Sequence, residues 1–176
     1  MESDDEESGV DRISMLPTEI LHNILSSMRI RIVVRMRRLS RKWKEVCESL
    51  QFICLKYSEF EHWKYERFAR FVNNLLLIRS KVDLHTFELV FDSCHPQNYN
   101  DVRMWIGYAV KHNVEVLDLI LDGYDKTVLP LCIFTCHSLQ ELNLSMGEAP
   151  DLGALLLPDI INLPSQKVDS QLCGCG

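Results

Sequence analysis

Cysteine and histidine are the residues of this 176-residue chain that could hold a metal ion or supply a nucleophile. Cys132, Cys136, His137, Cys173 and Cys175 together offer enough donor atoms for a zinc ion. Their spacing matches no regular zinc module, and Cys132 and Cys136 lie in an apolar segment between two candidate strands. We therefore expect no bound metal and no cofactor, and we interpret the cysteines as reduced, buried structural thiols.

Catalysis by a nucleophile or a general base would need a histidine within a recognisable motif. The six histidines are scattered, and Cys94 and His95 are neighbours in the sequence without forming a dyad on that account. The seven glycines form no phosphate-binding loop. The sequence therefore predicts that the chain is not an enzyme and has no catalytic residues.

A basic stretch occupies residues 29–44, which hold eight of the nineteen Lys and Arg residues and no acidic residue. Such a stretch could bind a phosphate backbone, so nucleic-acid binding is the rival hypothesis. Val33, Val34, Met36 and Leu39 interleave with the cations at core spacing, and the net charge of −6 gives no overall nucleic-acid footprint. We favour a solvated face that could meet an acidic partner.

Three short helices are predicted around this stretch, between Asp11 and Leu50. Pro17 announces the first helix, because proline suits the start of a helix, and apolar residues at helical spacing follow it. Ser40 can cap the third helix, in which Trp43 begins the apolar stripe. Three short helices bury little surface, so we expect this unit to need a partner.

This segment resembles the F-box, whose motif contains D-R-I-S, L-P, E-I-L, I-L-S, V-R, L-S, W and S-L at fixed spacing. The chain matches the motif without gaps at residues 11–14, 16–17, 19–21, 24–26, 34–35, 39–40, 43 and 49–50. The DRIS sequence is similar to that of plant F-box proteins with leucine-rich repeats. The spacer from Met28 to Ile32 departs from the family's usual residues.

The resemblance implies a non-catalytic subunit of a ubiquitin ligase. An F-box protein docks on a Skp-type adaptor, which links it to a cullin, and its second domain presents a protein substrate, here unknown. The resemblance assigns adaptor contact to Leu16, Pro17, Ile20, Leu21, Ile24, Leu25, Val34, Leu39 and Trp43. Leu39 and Trp43 could instead mainly hold the helices together. The alternative function is docking on the adaptor without recruiting a substrate.

A short apolar unit typical of leucine-rich repeats recurs beyond residue 83. Its copies are Leu84-x-x-Phe87-x-Leu89, Val114-x-x-Leu117-x-Leu119 and Leu139-x-x-Leu142-x-Leu144, whose last residues are 30 and 25 positions apart. We expect parallel strands with a shared core, and helices over 60–80 and 101–112. A fourth copy at 163–168 has Gln166 where a leucine belongs, which indicates a truncated array.

The predicted fold class is α/β: an N-terminal three-helix F-box followed by a short, irregular leucine-rich-repeat solenoid with a parallel sheet. The predicted parts are a disordered acidic leader (1–10), the F-box (11–50), a helical linker (51–83), incomplete leucine-rich repeats (84–168) and a disordered tail (169–176). The charged start excludes a secretory signal, and no apolar run reaches the roughly 18 residues of a membrane helix. We expect a cytoplasmic or nuclear protein without membrane contact.

Overall fold

The computed structural model describes residues 13, 15–91, 98–124 and 126–146. The chain divides into two compact units, Met1–Cys47 and Glu48–Gly176. The predicted leader, the fourth repeat copy at 163–168 and the predicted tail lie outside the described residues. Within the described ranges, no helix has both the length and the apolar composition to cross a membrane.

The first unit consists of short helices, as the sequence predicts. Their bounds are Thr18–Ser26 (α1), Ile30–Met36 (α2) and Arg41–Glu48 (α3). Pro17 directly precedes α1, and its carbonyl accepts hydrogen bonds from the N–H groups of Ile20 and Leu21 at 3.1 and 3.2 Å. The predicted cap of α3 is confirmed, because the Trp43 N–H donates to the Ser40 Oγ at 3.3 Å.

The second unit is built on a parallel sheet of four strands in the order β1-β2-β3-β4. The strands are Phe52–Lys56 (β1), Thr86–Phe91 (β2), Val116–Leu121 (β3) and Glu141–Ser145 (β4). Two α-helices, Tyr65–Ile78 (α4) and Tyr99–Lys111 (α5), lie in the connections β1–β2 and β2–β3. This architecture confirms the predicted α/β fold class. The two helices supply the long crossover connections that parallel strands need.

The strand register confirms the repeat pattern residue by residue. Phe87 is paired with Leu117 and Leu117 with Leu142, so the central positions of all three predicted copies are aligned. The last positions, Leu89, Leu119 and Leu144, are aligned in the same way. Of these aligned side chains, the four in β2 and β3 are fully buried, whereas the two in β4 are only half-buried, because β4 is the edge strand of the described sheet.

Strand β1 lies within residues 51–83, which the sequence predicts as a helical linker. Ile53 is paired with Phe87 and Leu55 with Leu89, so β1 extends the same two buried rows. Leu50, Ile53 and Leu55 have the spacing of the other copies, but the step from residue 55 to residue 89 is 34 residues, longer than a usual repeat. The long step accommodates α4, and it hides the repeat from a search at a fixed period.

Helices α4 and α5 are joined by polar and aromatic contacts. The Tyr65 hydroxyl donates to the Asp101 carboxylate, and the Trp105 indole N–H donates to the Asn73 Oδ1 at 2.8 Å. The rings of Phe68 and Trp105 meet edge to face, with centroids 5.7 Å apart. Both predicted helices are present. The first, α4, begins only at Tyr65, and the residues from Tyr57 to Phe60 form a 3-10 turn before it.

Candidate functional site

Three of the nine residues predicted for adaptor contact are buried. Leu21, Leu25 and Trp43 are each at most 4% exposed. A partner could not reach these side chains without opening the structure around them. Their position is that of core residues, which maintain the helices and thereby the faces that the helices present.

The other predicted contact residues retain accessible surface. Ile20, Ile24 and Leu39 are 45%, 40% and 65% exposed, Pro17 is exposed, and Leu16 and Val34 are half-buried. Ile20 and Ile24 are four residues apart in α1, so they lie on one face of that helix. The structure thus leaves an apolar strip of α1 open to a partner.

Three further exposed apolar side chains in this segment, Ile13, Met15 and Ile32, are absent from the nine predicted residues. We call the six residues Ile13, Met15, Ile20, Ile24, Ile32 and Leu39 the exposed apolar set. Single exposed apolar residues are common, but these six are two thirds of the nine large exposed apolar residues in the described part of the chain. Such a concentration is typical of surfaces that contact another molecule. For Ile32 the sequence did give a signal, since an apolar residue stands there in the spacer that departs from the family's usual residues.

The basic stretch 29–44 has both structural and solvated members. The Lys42 ammonium donates to the Leu16 carbonyl at 2.7 Å, which ties α3 to the segment before α1. The exposed Arg41 approaches Glu45 at 4.0 Å, a solvated pair that contributes little to stability. Arg29, Arg35, Arg38 and Lys44 are exposed as well. The stretch therefore combines a structural contact with a positively charged surface.

The sheet of the second unit presents a polar row on the face opposite the buried leucines. Cys54, Glu88, Asp118 and Asn143 are paired in register across the four strands. Glu88 forms an ion pair of 2.8 Å with Lys56. Burial alone raises the pKa of the Glu88 carboxyl, but hydrogen bonds from Cys54 and Lys56 outweigh it, and the pKa lies below its usual value.

The same row perturbs two other groups. Burial, followed by the hydrogen bond with Glu88, raises the pKa of the Cys54 thiol to about 12, so this cysteine is a poor nucleophile. Burial and then the charge of Glu88 raise the pKa of Asp118 above its usual value. The centre of the sheet face therefore carries a carboxylate that is unfavourably placed when ionised, and a cationic group of a partner would relieve this.

Replacing Asp118 with asparagine should stabilise the second unit at neutral pH. A raised pKa in the folded state means that ionised Asp118 costs stability, so we expect a gain at pH 7 of up to about 1 kcal/mol. The gain should shrink as the pH falls towards about 4, because the folded-state carboxyl, whose pKa is raised, is protonated before the unfolded-state one. Urea unfolding between pH 4 and pH 7 measures this dependence.

The control for Asp118→Asn is Asn143→Asp, which adds a carboxylate at the neighbouring register position. This variant should lose stability at pH 7 and recover it in acid. A loss of stability in Asp118→Asn at pH 7 would contradict the interpretation, because it would mean that the carboxylate makes a favourable contact.

The predicted burial of the cysteines is wrong for Cys132. Its side chain is exposed in a 3-10 turn, Leu131–Thr135, where only some residues of an apolar segment face the core. Cys136 is half-buried, and its sulfur lies 3.2 Å from the Ser138 hydroxyl. Among the described residues, no three His, Cys, Asp or Glu side chains lie close enough together to hold a metal ion. Cys94, Cys173 and Cys175 are outside the described residues.

Comparisons with known proteins agree with this arrangement. The family model of the F-box domain matches residues 13–55. An FBD-associated F-box protein of Arabidopsis thaliana is 34% identical over 164 residues, which cover 90% of this chain and 38% of that protein. F-box/LRR-repeat protein 13 of the same plant is 31% identical over 165 residues, covering 90% of this chain and 34% of that protein.

A further F-box protein of Arabidopsis thaliana is 33% identical and is covered over 49% of its length. The chain thus spans between a third and a half of the curated relatives it matches. No solved structure matches it. The aligned apolar rows and the sequence matches lead to one conclusion: the chain carries an F-box domain and is homologous, over most of its length, to the F-box/LRR-repeat proteins of plants.

Proposed function

We propose that this protein is the substrate-receptor subunit of an SCF-type cullin ubiquitin ligase. In this role the F-box docks on a Skp-type adaptor, and the leucine-rich repeats hold a protein target. The observation that carries the proposal is the exposed apolar set, which lies within the segment that matches the F-box family. Exposed apolar side chains at this density are typical of surfaces that are covered in a complex.

The proposed adaptor contact is narrower than the full set of predicted residues. The accessible members, Leu16, Pro17, Ile20, Ile24, Val34 and Leu39, would touch the adaptor. The buried members, Leu21, Leu25 and Trp43, would act through the shape of the helices. This division follows from exposure, since an interface anchor must be reachable in the free protein unless the fold opens on binding.

The sheet face is the proposed surface for the protein target. It carries Glu88 and Asp118 at its centre, with the half-buried apolar residues Val116 and Ile120 beside them. The chain itself would perform no bond chemistry in this role. It would hold the target near the ubiquitin-transfer enzymes and so raise the local concentration of its lysines.

Co-expression tests this proposal. The tagged chain should purify together with a Skp-type adaptor and a cullin, and in cells with blocked proteasomes it should also retain a further protein that becomes ubiquitinated. Retention of adaptor and cullin with no ubiquitinated target would support the alternative, docking without substrate recruitment. Failure to retain the adaptor would contradict both functions.

Nucleic-acid binding through residues 29–44 makes a different prediction. Duplex DNA should then be retained by the purified chain at physiological salt, with an affinity that falls steeply as salt is raised. Charge reversal at the exposed Arg35 and Arg38 should abolish that retention. We expect no such retention, because the exposed Ile32 and Leu39 interrupt the cations and the net charge of the chain is −6.

A further inference from the structure

A cavity of about 670 Å³ lies between α4 and α5, away from the polar row of the sheet. Its apolar wall includes Leu76, Leu77, Met104 and Trp105. Leu77 is 82% exposed and Met104 is also exposed, although the other apolar residues of both helices are buried or half-buried. The cavity is therefore an open groove with two large apolar side chains at its rim.

The groove is positively charged. Arg79, Lys81 and Lys111 line it, whereas Asp83 is the acidic residue among the described residues that line it. The Asp83 carboxylate already accepts a hydrogen bond from the Asn113 amide at 2.9 Å. The whole chain carries a net charge of −6, so this local excess of cations runs against the overall charge. The charge complements an acidic ligand.

Two buried donors at the groove lack a partner within the described part of the chain: the Nη1 of Arg79 and the hydroxyl of Tyr108. The Arg79 side chain is only 7% exposed. Its Nε donates to the Leu50 carbonyl at 2.7 Å and its Nη2 to the Asp83 carbonyl at 2.9 Å. These contacts fix the guanidinium beside the groove and leave Nη1 unused. Buried donors without an acceptor are rare, and a ligand oxygen would satisfy them once the groove opens around these two atoms on binding.

We propose that this groove is a second docking site, which takes an amphipathic segment of another protein with acidic side chains. The apolar residues of that segment would cover Leu77 and Met104. Its carboxylates would meet the exposed Lys81 and Lys111 and, once the groove opens on binding, the buried Arg79. This is the helix-in-groove mode of recognition, in which apolar anchors give affinity and charged residues give orientation. The residues that line the groove include none of the exposed apolar set.

A fluorescein-labelled peptide of two copies of Leu-Glu-Glu-Leu-Leu-Glu-Glu tests the proposal with the full chain, by fluorescence anisotropy in about 50 mM salt. We expect saturable binding in the range of about 10–100 μM. Lys81→Glu with Lys111→Glu should weaken it at least about fivefold, and Leu77→Ser at least about threefold. These residues are exposed, so the variants should fold normally.

Matched controls separate the groove from general charge and hydrophobicity. Lys44→Glu with Lys64→Glu makes the same change in net charge at exposed sites outside the groove, and Leu131→Ser removes a leucine of similar exposure, 76% against 82% for Leu77. Neither should alter binding, and Ile20→Glu with Ile24→Glu should leave it intact as well. A peptide with lysine in place of every glutamate should not bind.

Three results would overturn the proposal. The first is an acidic peptide that does not bind, or that binds the groove variants and their controls equally. The second is displacement of the peptide by inorganic phosphate at the same concentration, which would mean a site for a simple anion. The third is self-association in sedimentation velocity that Leu77→Ser abolishes, which would make a second copy of this chain the occupant.

Discussion

Replacing Ile20 and Ile24 together by glutamate is expected to weaken binding to a Skp-type adaptor at least about 100-fold. Each substitution would place a charge in the proposed apolar interface, and anchor residues of this kind are commonly worth about 2 kcal/mol or more. The two side chains are 45% and 40% exposed in the free chain, so the fold should lose less than about 0.5 kcal/mol. Isothermal titration of the purified double variant with the adaptor measures the loss.

Two comparisons make this result specific. Leu131→Glu adds a charge at an exposed leucine of the second unit and should leave adaptor affinity unchanged. Leu25→Ala truncates a buried residue of α1 and should reduce the thermal stability of the helices before it reduces affinity. If the Ile20/Ile24 variant binds like the unmodified chain, the exposed face of α1 is not the docking face.

Truncation of Leu119 should destabilise the second unit by about 2–5 kcal/mol. Leu119 is fully buried in β3 and is paired in register with Leu89 on one side and Leu144 on the other. Removing its side chain leaves a cavity within this buried row, and the paired strands on both sides prevent the row from closing around it. A loss of this size is a large part of the stability of a typical domain, and urea unfolding of Leu119→Ala would report it.

A graded series tests the position of the core. Ile120→Ala changes the next residue, which is half-buried on the opposite face of the sheet, and should cost much less than Leu119→Ala. Leu142→Ala, at the half-buried edge strand, should fall between them. Leu119→Asp should unfold the unit, because a carboxylate would be buried without a partner. Equal losses at 119 and 120 would contradict the assignment of the two sheet faces.

Much of the second unit could be predicted because its information is local. Alternating burial along a strand is visible as alternating residue types, and the equal spacing within each repeat copy aligns Phe87, Leu117 and Leu142 in space. Strand β1 escaped prediction although Leu50, Ile53 and Leu55 share the spacing of the other copies, because its distance from the next copy exceeds a usual repeat. Its five residues become a strand through pairing with β2, across an intervening helix whose length no repeat period predicts.

The F-box domain and the apolar positions of α1 were determined by the sequence alone, whereas the tertiary structure decided which of these apolar positions stay exposed. Ile20, Leu21, Ile24 and Leu25 form a single apolar strip in the sequence, and helical periodicity treats them alike. Packing separates them: Leu21 and Leu25 are buried, and Ile20 and Ile24 remain exposed. The physical reason is that an apolar strip two residues wide is broader than the area that a small core can bury. The packing of the neighbouring helices therefore decides which half of the strip is buried.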